Sequence, residues 1–283
     1  MRPCVLTDEI SQDLDEVLAV CVRHGFPAIE VRSVWNTPPH ELTPRQCKEI
    51  AARTADAGLT VAGFASPVFK TELPTGTRDL DRSTELLSRS LEQCAVLGAG
   101  LVRVFSYFRA AQPDVAAAAH AVGAVLDRVA TDGVTVAFES GTRTNTPTAA
   151  LTQQLLDLLD RPDTGLLWDP GNTVFSGFGD GTGTAGLADI RPGSLAHVHV
   201  KDPQGTREYV ELGHGTLSWP TIVAALRERG YTGHLSLETH WRPGRVLTAK
   251  ERDEPWGDGF SAGGVHASEP CMATLAAWLK EPA

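Results

Sequence analysis

Long hydrophobic runs are absent from this sequence of 283 residues. No segment reaches the roughly 18 consecutive apolar residues that a membrane-spanning helix needs. The stretch from Met1 to Ile10 meets acidic residues without first passing through an apolar core, so it lacks the pattern of a secretory signal. We therefore expect a cytoplasmic protein without a membrane partner.

Basic residues are outnumbered. The chain has 25 Lys and Arg residues against 35 Asp and Glu residues, which gives a formal net charge of −10. Nucleic-acid binding relies on a basic face that neutralises phosphates, so this balance argues against a nucleic-acid partner. A phosphorylated small substrate, held by one or two local Arg or Lys residues, is not excluded.

Cysteine motifs and dinucleotide-binding motifs are missing. The five cysteines are odd in number, scattered and without a C-x-x-C pair. This usage is typical of buried, reduced thiols in the cytoplasm. No G-x-G-x-x-G follows an early strand pattern, which disfavours an open, doubly wound sheet that binds a dinucleotide.

The chain does show a regular alternation of strand and helix patterns. Eight short apolar segments alternate with helical segments at nearly constant spacing, which implies parallel strands joined by right-handed crossovers. We predict a single (β/α)8 TIM-barrel domain over residues 1–283, with its site at the carboxyl ends of the strands. The pattern also predicts three loops, from Ser66 to Leu80, from Asn172 to Gly186 and from His240 to Ala267. It predicts a closing helix from Pro270 to Leu279.

The most informative stretch runs from Leu195 to Asp202. As a strand, it places His197, His199 and Lys201 on one face and apolar residues on the other. Unpaired polar groups are costly when buried, so three polar residues on one face of an apolar strand indicate a functional site.

Three other apolar runs end in an acid, and together with His199 they suggest a metal site. Glu139, Asp169, His199 and Glu238 are separated by roughly 30, 30 and 39 residues, about one strand-plus-helix unit each. In a barrel these side chains would meet at one end. Two Glu, one Asp and one His suit a single divalent cation such as Mn, Mg, Co or Zn.

Seven short motifs are spread over almost the whole chain. They are Thr7-Asp8-Glu9-Ile10, Ile29-Glu30-Val31-Arg32, Phe138-Glu139, Trp168-Asp169-Pro170-Gly171-Asn172, His197-Val198-His199-Val200-Lys201-Asp202, Leu212-Gly213-His214-Gly215 and Leu237-Glu238. In these motifs the chain resembles the sugar phosphate isomerase/epimerase family. This xylose isomerase-like TIM-barrel group includes ketose 3-epimerases, inosose dehydratases and, more distantly, endonuclease IV.

The resemblance implies that Glu139, Asp169, His199 and Glu238 bind the metal. It further implies that Glu139 and Glu238 are catalytic and transfer protons on opposite faces of an enediolate. A metal that chelates the carbonyl and an adjacent hydroxyl would stabilise the developing oxyanion. The expected activity is isomerisation or epimerisation of a ketose, keto-cyclitol or related sugar.

Six further residues are candidate substrate contacts, and five of them have a structural alternative. The alternatives are a satisfied core histidine for His197, an ion pair with Asp202 for Lys201, a turn or cap for Asn172, an ion pair with an acid such as Glu30 for Arg103, and a loop variant for His214. His214 stands where the family more usually has an acid. His240 shares the parity of Glu238 and begins a loop.

Two other functions stay open. A lyase or dehydratase would expel a β-hydroxyl or glycosyl group from the same enediolate, with His214, Lys201 and His240 as candidate acids. A barrel that binds a sugar without catalysis is the other alternative. A small sugar or cyclitol is the expected partner, and a homodimer is one alternative for the assembly, because members of the family often dimerise.

Overall fold

Eight parallel strands close into a barrel, as predicted. The computed structural model describes residues 1–179 and 184–280, so residues 180–183 of the predicted Asn172–Gly186 loop lie outside the described residues. The strands are β1 (Arg2–Leu6), β2 (Ala28–Val31), β3 (Thr60–Ala65), β4 (Leu101–Val104), β5 (Thr135–Glu139), β6 (Thr164–Trp168), β7 (Leu195–Val200) and β10 (His234–Leu237), while β8 (Asp202–Gln204) and β9 (Glu208–Val210) lie outside the barrel. Around the barrel the strand order is β1-β10-β7-β6-β5-β4-β3-β2.

Helices surround the barrel. They are α1 (Thr7–Ile10), α2 (Leu14–His24), α3 (Pro44–Asp56), α4 (Thr77–Leu97), α5 (Val115–Leu126), α6 (Ala149–Leu159), α7 (Pro170–Phe175), α8 (Ala185–Ala188), α9 (Trp219–Glu228), α10 (Ala249–Asp253), α11 (Asp258–Ser261) and α12 (Gly264–Lys280), with a 3-10 turn at Pro39–Glu41. None of the described helices is both long and apolar enough to span a membrane. Helix α3 begins with a capping box between Thr43 and Gln46, and Pro44 is its first residue.

The core has two parts. The large cluster joins strands to helices and includes Val136, Phe138 and Trp168. A small separate cluster comprises Leu101, Ala137 and Leu167. Ala137 shares its parity with Glu139, so the strand face that carries this small apolar cluster also carries polar residues towards its carboxyl end.

Several predicted boundaries are wrong. Helix α4 begins at Thr77, inside the predicted Ser66–Leu80 loop. The predicted loop from His240 to Ala267 contains α10, α11 and the first turn of α12, and Pro270 lies inside α12 instead of opening it. Proline removes a backbone donor and usually breaks a helix, so its position alone gave the wrong start.

A small hairpin was not predicted. Strands β8 (Asp202–Gln204) and β9 (Glu208–Val210) pair in antiparallel fashion directly after β7. The Asp202 carboxylate accepts hydrogen bonds from the backbone N–H groups of Gly213 and Gly215 at 3.0 Å and of Leu217 at 3.2 Å. These bonds fix the loop that follows the hairpin.

Gly264 marks a close contact between α12 and α1. A Cβ atom at this position would lie 2.4 Å from the carbonyl oxygens of Glu9 and Ile10, which are backbone atoms that cannot rotate away. We expect Gly264→Ala to lower the free energy of unfolding by about 1–3 kcal/mol, the usual cost of overpacking. Urea unfolding would measure it.

Gly259→Ala is the matched control, because a Cβ atom there would meet nothing within 4 Å. It should leave stability unchanged or slightly raised, since alanine has a higher helix propensity. Equal stability of the two variants would show that α12 is not held against α1 as described.

Candidate metal centre

Four polar side chains meet at the carboxyl end of the barrel. Glu139 is the last residue of β5, Asp169 follows β6, His199 lies in β7 and Glu238 follows β10. These strands are consecutive neighbours in the barrel, which brings their ends together. One ligand atom from each residue lies within 4.8 Å of the others, and all four residues are buried.

The residues present fit a divalent cation. Glu139 Oε2, Asp169 Oδ2 and His199 Nδ1 are buried and form no well-aligned hydrogen bond within the described chain, although Arg103 and Lys201 lie within ion-pair distance of the two carboxylate oxygens. Buried polar atoms without well-aligned hydrogen bonds are unfavourable, and a shared cation would provide all three with a partner. Three carboxylates and one imidazole are ligands that Mn²⁺, Co²⁺ and Zn²⁺ accept.

Glu30 orients the histidine ligand. His199 Nε2 lies 3.1 and 3.2 Å from the two Glu30 carboxylate oxygens. Its Nδ1 lies 3.3 Å from Glu238 Oε2 and 3.5 Å from Glu139 Oε1, on the side of the other ligands. A carboxylate behind the histidine fixes both its ring orientation and its tautomer, which leaves Nδ1 free to bind a metal.

Burial disfavours the charged imidazole of His199, but Glu30 and Glu238 outweigh burial and raise its pKa well above the usual range. Since a metal ligand must be neutral imidazole, cation binding would release a proton here.

Three buried cations pair with the carboxylates. Lys201 Nζ lies 2.7 Å from Asp169 Oδ2 and donates a hydrogen bond to Glu238. Arg103 lies 3.2 Å from Glu139, so its partner is Glu139 and not Glu30. The suggested ion pair of Lys201 with Asp202 is likewise wrong, because the Asp202 carboxylate binds backbone N–H groups instead.

The third cation, Arg32, connects β2 to two other elements. Its guanidinium donates to Glu238, to Asp8 at 2.9 Å and to Glu9 at 3.0 Å. Burial raises the pKa of Asp8 to about 6 in spite of Arg32. Glu9 is also buried, but Arg242, His240 and Arg32 together lower its pKa to about 2.

The carboxylates of the centre differ in proton affinity. Burial raises the pKa of Asp169 to about 7, and Lys201 offsets this only in part. Burial also disfavours ionised Glu139, but Arg103 and a hydrogen bond with His199 outweigh it and lower the pKa to about 2. Glu139 is therefore an ionised base at neutral pH.

A cavity of about 310 Å³ opens onto this centre. Among the predicted substrate contacts, four line it: Arg103, Asn172, Lys201 and His240. Asn172 donates to Glu139 Oε1 at 2.7 Å and accepts a hydrogen bond from the Tyr209 hydroxyl at 3.1 Å. Burial lowers the pKa of His240 to about 3, so this imidazole is neutral.

The other two predicted contacts lie elsewhere. His197 is buried with its Nε2 3.1 Å from Glu30 Oε2, so the two histidines of β7 share one carboxylate. The side chain of His214 is 70% exposed, 3.8 Å from Glu211. Neither histidine lines the cavity, which does not fit the expectation that they contact the substrate.

Several residues of the site were not among the predicted site residues. Glu30 and Arg32 alternate on one face of the β2 segment, the same signal that singled out the β7 residues, and could have been found by it. Tyr209 gave no such signal, because it lies on β9 of the unpredicted hairpin. Lys70 and Arg252 also line the cavity and lie in segments predicted as loops.

Comparison with known proteins agrees with the barrel. Solved structures with a similar fold include L-ribulose 3-epimerase (20% identity, TM-score 0.75, covering 99% of this chain and 94% of that chain). They also include D-allulose 3-epimerase from Methylomonas sp. (16%, 0.76, 98% and 98%) and the IOLI protein with a bound zinc atom (16%, 0.76, 99% and 98%). Identities this low establish the fold alone.

No curated protein sequence matches the chain significantly. A family model, however, matches residues 18–262, which is most of the sequence, and it describes a xylose isomerase-like TIM barrel. Together with the closed eight-stranded barrel, this match shows that the chain belongs to the xylose isomerase-like TIM barrel family.

Proposed function

We propose that this chain is a divalent-metal-dependent isomerase or epimerase of a ketose, keto-cyclitol or related polyhydroxy carbonyl compound. The observation that supports the proposal is the convergence of Glu139, Asp169, His199 and Glu238 within 4.8 Å beside a cavity of about 310 Å³. This volume suits a small molecule. Similar folds in L-ribulose 3-epimerase and D-allulose 3-epimerase add support by analogy.

The chain's own residues supply the acid–base chemistry. A divalent cation at this centre would act as a Lewis acid towards negative charge on a carbonyl oxygen. Glu139 and Glu238 both line the cavity, and we assign them the two proton transfers at the carbon beside the carbonyl. Arg103 and Asn172 hold Glu139, while Arg32 and Lys201 hold Glu238.

Lys201 is the candidate acid for the lyase alternative. It lines the cavity and could deliver a proton to a departing hydroxyl group, whereas the neutral His240 and the exposed His214 are withdrawn as candidate acids. Isomerisation and elimination share the first proton abstraction, and the product decides between them.

Metal binding tests the centre directly. After chelator treatment and dialysis, calorimetric titration with Mn²⁺ or Zn²⁺ should show one ion per chain. Asp169→Asn should weaken binding by on the order of 100-fold or more, because even groups that only support a ligand are worth 10–100-fold. His214→Gln is the control, since this side chain is exposed and does not line the cavity. Unchanged affinity in Asp169→Asn would place the metal elsewhere.

Glu30 should act through His199. Glu30→Gln removes the charge behind the imidazole, and we expect metal affinity to fall about 10–100-fold. Glu41→Gln provides a matched control, because Glu41 also lies beside a histidine, 3.8 Å from His40, but at the surface. Thermal unfolding would confirm that both variants fold. Equal metal affinity in folded Glu30→Gln and wild type would show that Glu30 does not position the ligand.

Proton exchange tests catalysis. We would incubate the metal-loaded enzyme in D₂O with each of a panel of ketoses. The enzyme should incorporate solvent deuterium at the carbon beside the carbonyl of its substrate. Glu139→Gln and Glu238→Gln should each slow this by about 10²–10⁴-fold, the range for acid–base groups. A dehydrated or cleaved product would identify a lyase. Retained metal with no turnover on any compound would favour a binding protein.

A further inference from the structure

The charge of the cavity is opposite to that of the chain. The chain as a whole has ten more acidic than basic residues, yet among the described residues seven Lys and Arg side chains and three carboxylates line the cavity. Two of those carboxylates, Glu139 and Glu238, already pair with Arg103, Arg32 and Lys201. Four more cations complete the lining: Lys70, Arg109, Arg143 and Arg252.

In the part of the chain that the structure describes, one carboxylate pairs with any of these four cations. Asp253 lies 2.5 Å from Arg143, and its backbone carbonyl accepts a hydrogen bond from Lys70. Within the described residues, Lys70, Arg109 and Arg252 form no ion pair with a carboxylate. Arg109 instead donates to the Thr142 carbonyl at 2.5 Å, and Arg252 to the Leu247 carbonyl.

Aromatic rings hold the four cations in place. Lys70 lies 5.2 Å from the centre of the Phe105 ring, and Arg109 lies 5.0 Å from that of Phe178. The guanidinium of Arg143 lies 4.4 Å from Phe108, and that of Arg252 lies 5.1 Å from Phe175. A ring orients a cation without neutralising its formal charge. The donors are therefore positioned while their charge remains available to a ligand.

The loops that carry these cations are joined. The backbone N–H of Arg109 donates to the Arg143 carbonyl at 2.9 Å, which ties the segment after β4 to the segment after β5. Lys70 and Arg143 both bind Asp253, the last residue of α10 and the neighbour of Arg252. Deeper in the cavity, the Nε of Arg103 is buried and has no hydrogen-bond partner within the described chain. An unpaired donor therefore lies deeper in the cavity than the four cations of the loops.

We propose that Lys70, Arg109, Arg143 and Arg252 form an oxyanion subsite at the cavity mouth, and that the substrate carries a phosphate or carboxylate group. The group would sit here while the carbonyl end of the same molecule reaches the metal centre. Only the contact between the carbonyl end of the substrate and the metal centre rests on the proposed function; the oxyanion subsite does not. Arginine forks suit both oxyanions, so the shared chemistry is a negatively charged oxygen group.

The pKa of Lys70 agrees with a site for a negatively charged ligand. Burial, together with the neighbouring Arg103, lowers its pKa to about 8. A nearby oxyanion would favour the charged ammonium.

Three six-carbon probes test the subsite. Calorimetric titration of the metal-loaded full chain would use D-fructose, D-fructose 6-phosphate and 5-keto-D-gluconate, which differ in having no anion, a phosphate or a carboxylate. We expect at least one anionic probe to bind about 10-fold or more tightly than D-fructose, with affinity that falls as salt rises. The anionic probe that binds more tightly shows whether the substrate carries a phosphate or a carboxylate. Anions that bind no better than D-fructose would overturn the proposal.

Variants locate the subsite. Arg252→Gln and Lys70→Gln should each weaken the preferred anion about 10-fold and change D-fructose binding less than about two-fold, while Arg252→Lys should recover part of the loss. Arg191→Gln is the charge-matched control, because Arg191 precedes β7 at the opposite end of the barrel and pairs with Asp157 at the surface. Unchanged anion affinity in both Gln variants would refute the assignment.

The two proposals can fail separately. Deuterium exchange into D-fructose at a rate equal to that of the anionic probes, without any preference in binding, would overturn the oxyanion subsite and leave the isomerase proposal standing. Tight anion binding that Arg252→Gln weakens, with no exchange into any probe, would support the subsite and overturn the isomerase.

Discussion

Compensation of buried negative charge is the constraint on which this end of the barrel depends. Seven carboxylates of the described residues are buried there, namely Asp8, Glu9, Glu30, Glu139, Asp169, Asp202 and Glu238. Ionised carboxylates are strongly disfavoured away from water unless cations and hydrogen bonds accompany them. Arg32, Arg103 and Lys201 provide that compensation for Glu238, Glu139 and Asp169 respectively, and their positions decide which carboxylate oxygens remain available to a metal.

Arg32 couples the metal centre to barrel closure. It lies just after β2 and reaches Asp8 and Glu9 in α1 as well as Glu238 after β10. Strands β10, β1 and β2 are consecutive in the barrel, so one guanidinium spans the carboxyl ends of three neighbouring strands. Removing it would leave several buried carboxylates with less compensation, a more severe change than losing a surface ion pair. A substitution of Arg32 would therefore change both the stability of the fold and the geometry of the metal centre.

The sequence predicted those features that depend on period and spacing. Eight strand-helix units and the convergence of Glu139, Asp169, His199 and Glu238 follow from regular repetition, because each unit places its strand end at the same face. The ion-pair partners of the basic side chains did not follow from period and spacing. Arg103 pairs with Glu139 rather than Glu30, since pairing depends on side-chain reach across adjacent strands, and β4 lies next to β5 but not next to β2. The β8–β9 hairpin and the helices after His240 were missed because short elements carry too few residues to show a period.

The chain is acidic overall but has a cluster of cations at the cavity mouth, and this distribution of charge determines how an anion would be selected. An overall charge of −10 repels an anionic ligand at long range, so the mouth cations cannot steer it from a distance. At physiological ionic strength screening acts over about 8 Å, which confines their influence to the cavity entrance. There Lys70, Arg109 and Arg252 are backed by aromatic rings instead of carboxylates, so an arriving oxyanion need not displace an acid. Discrimination would then arise from direct contact after encounter, and it would appear in the dissociation rate more than in the association rate.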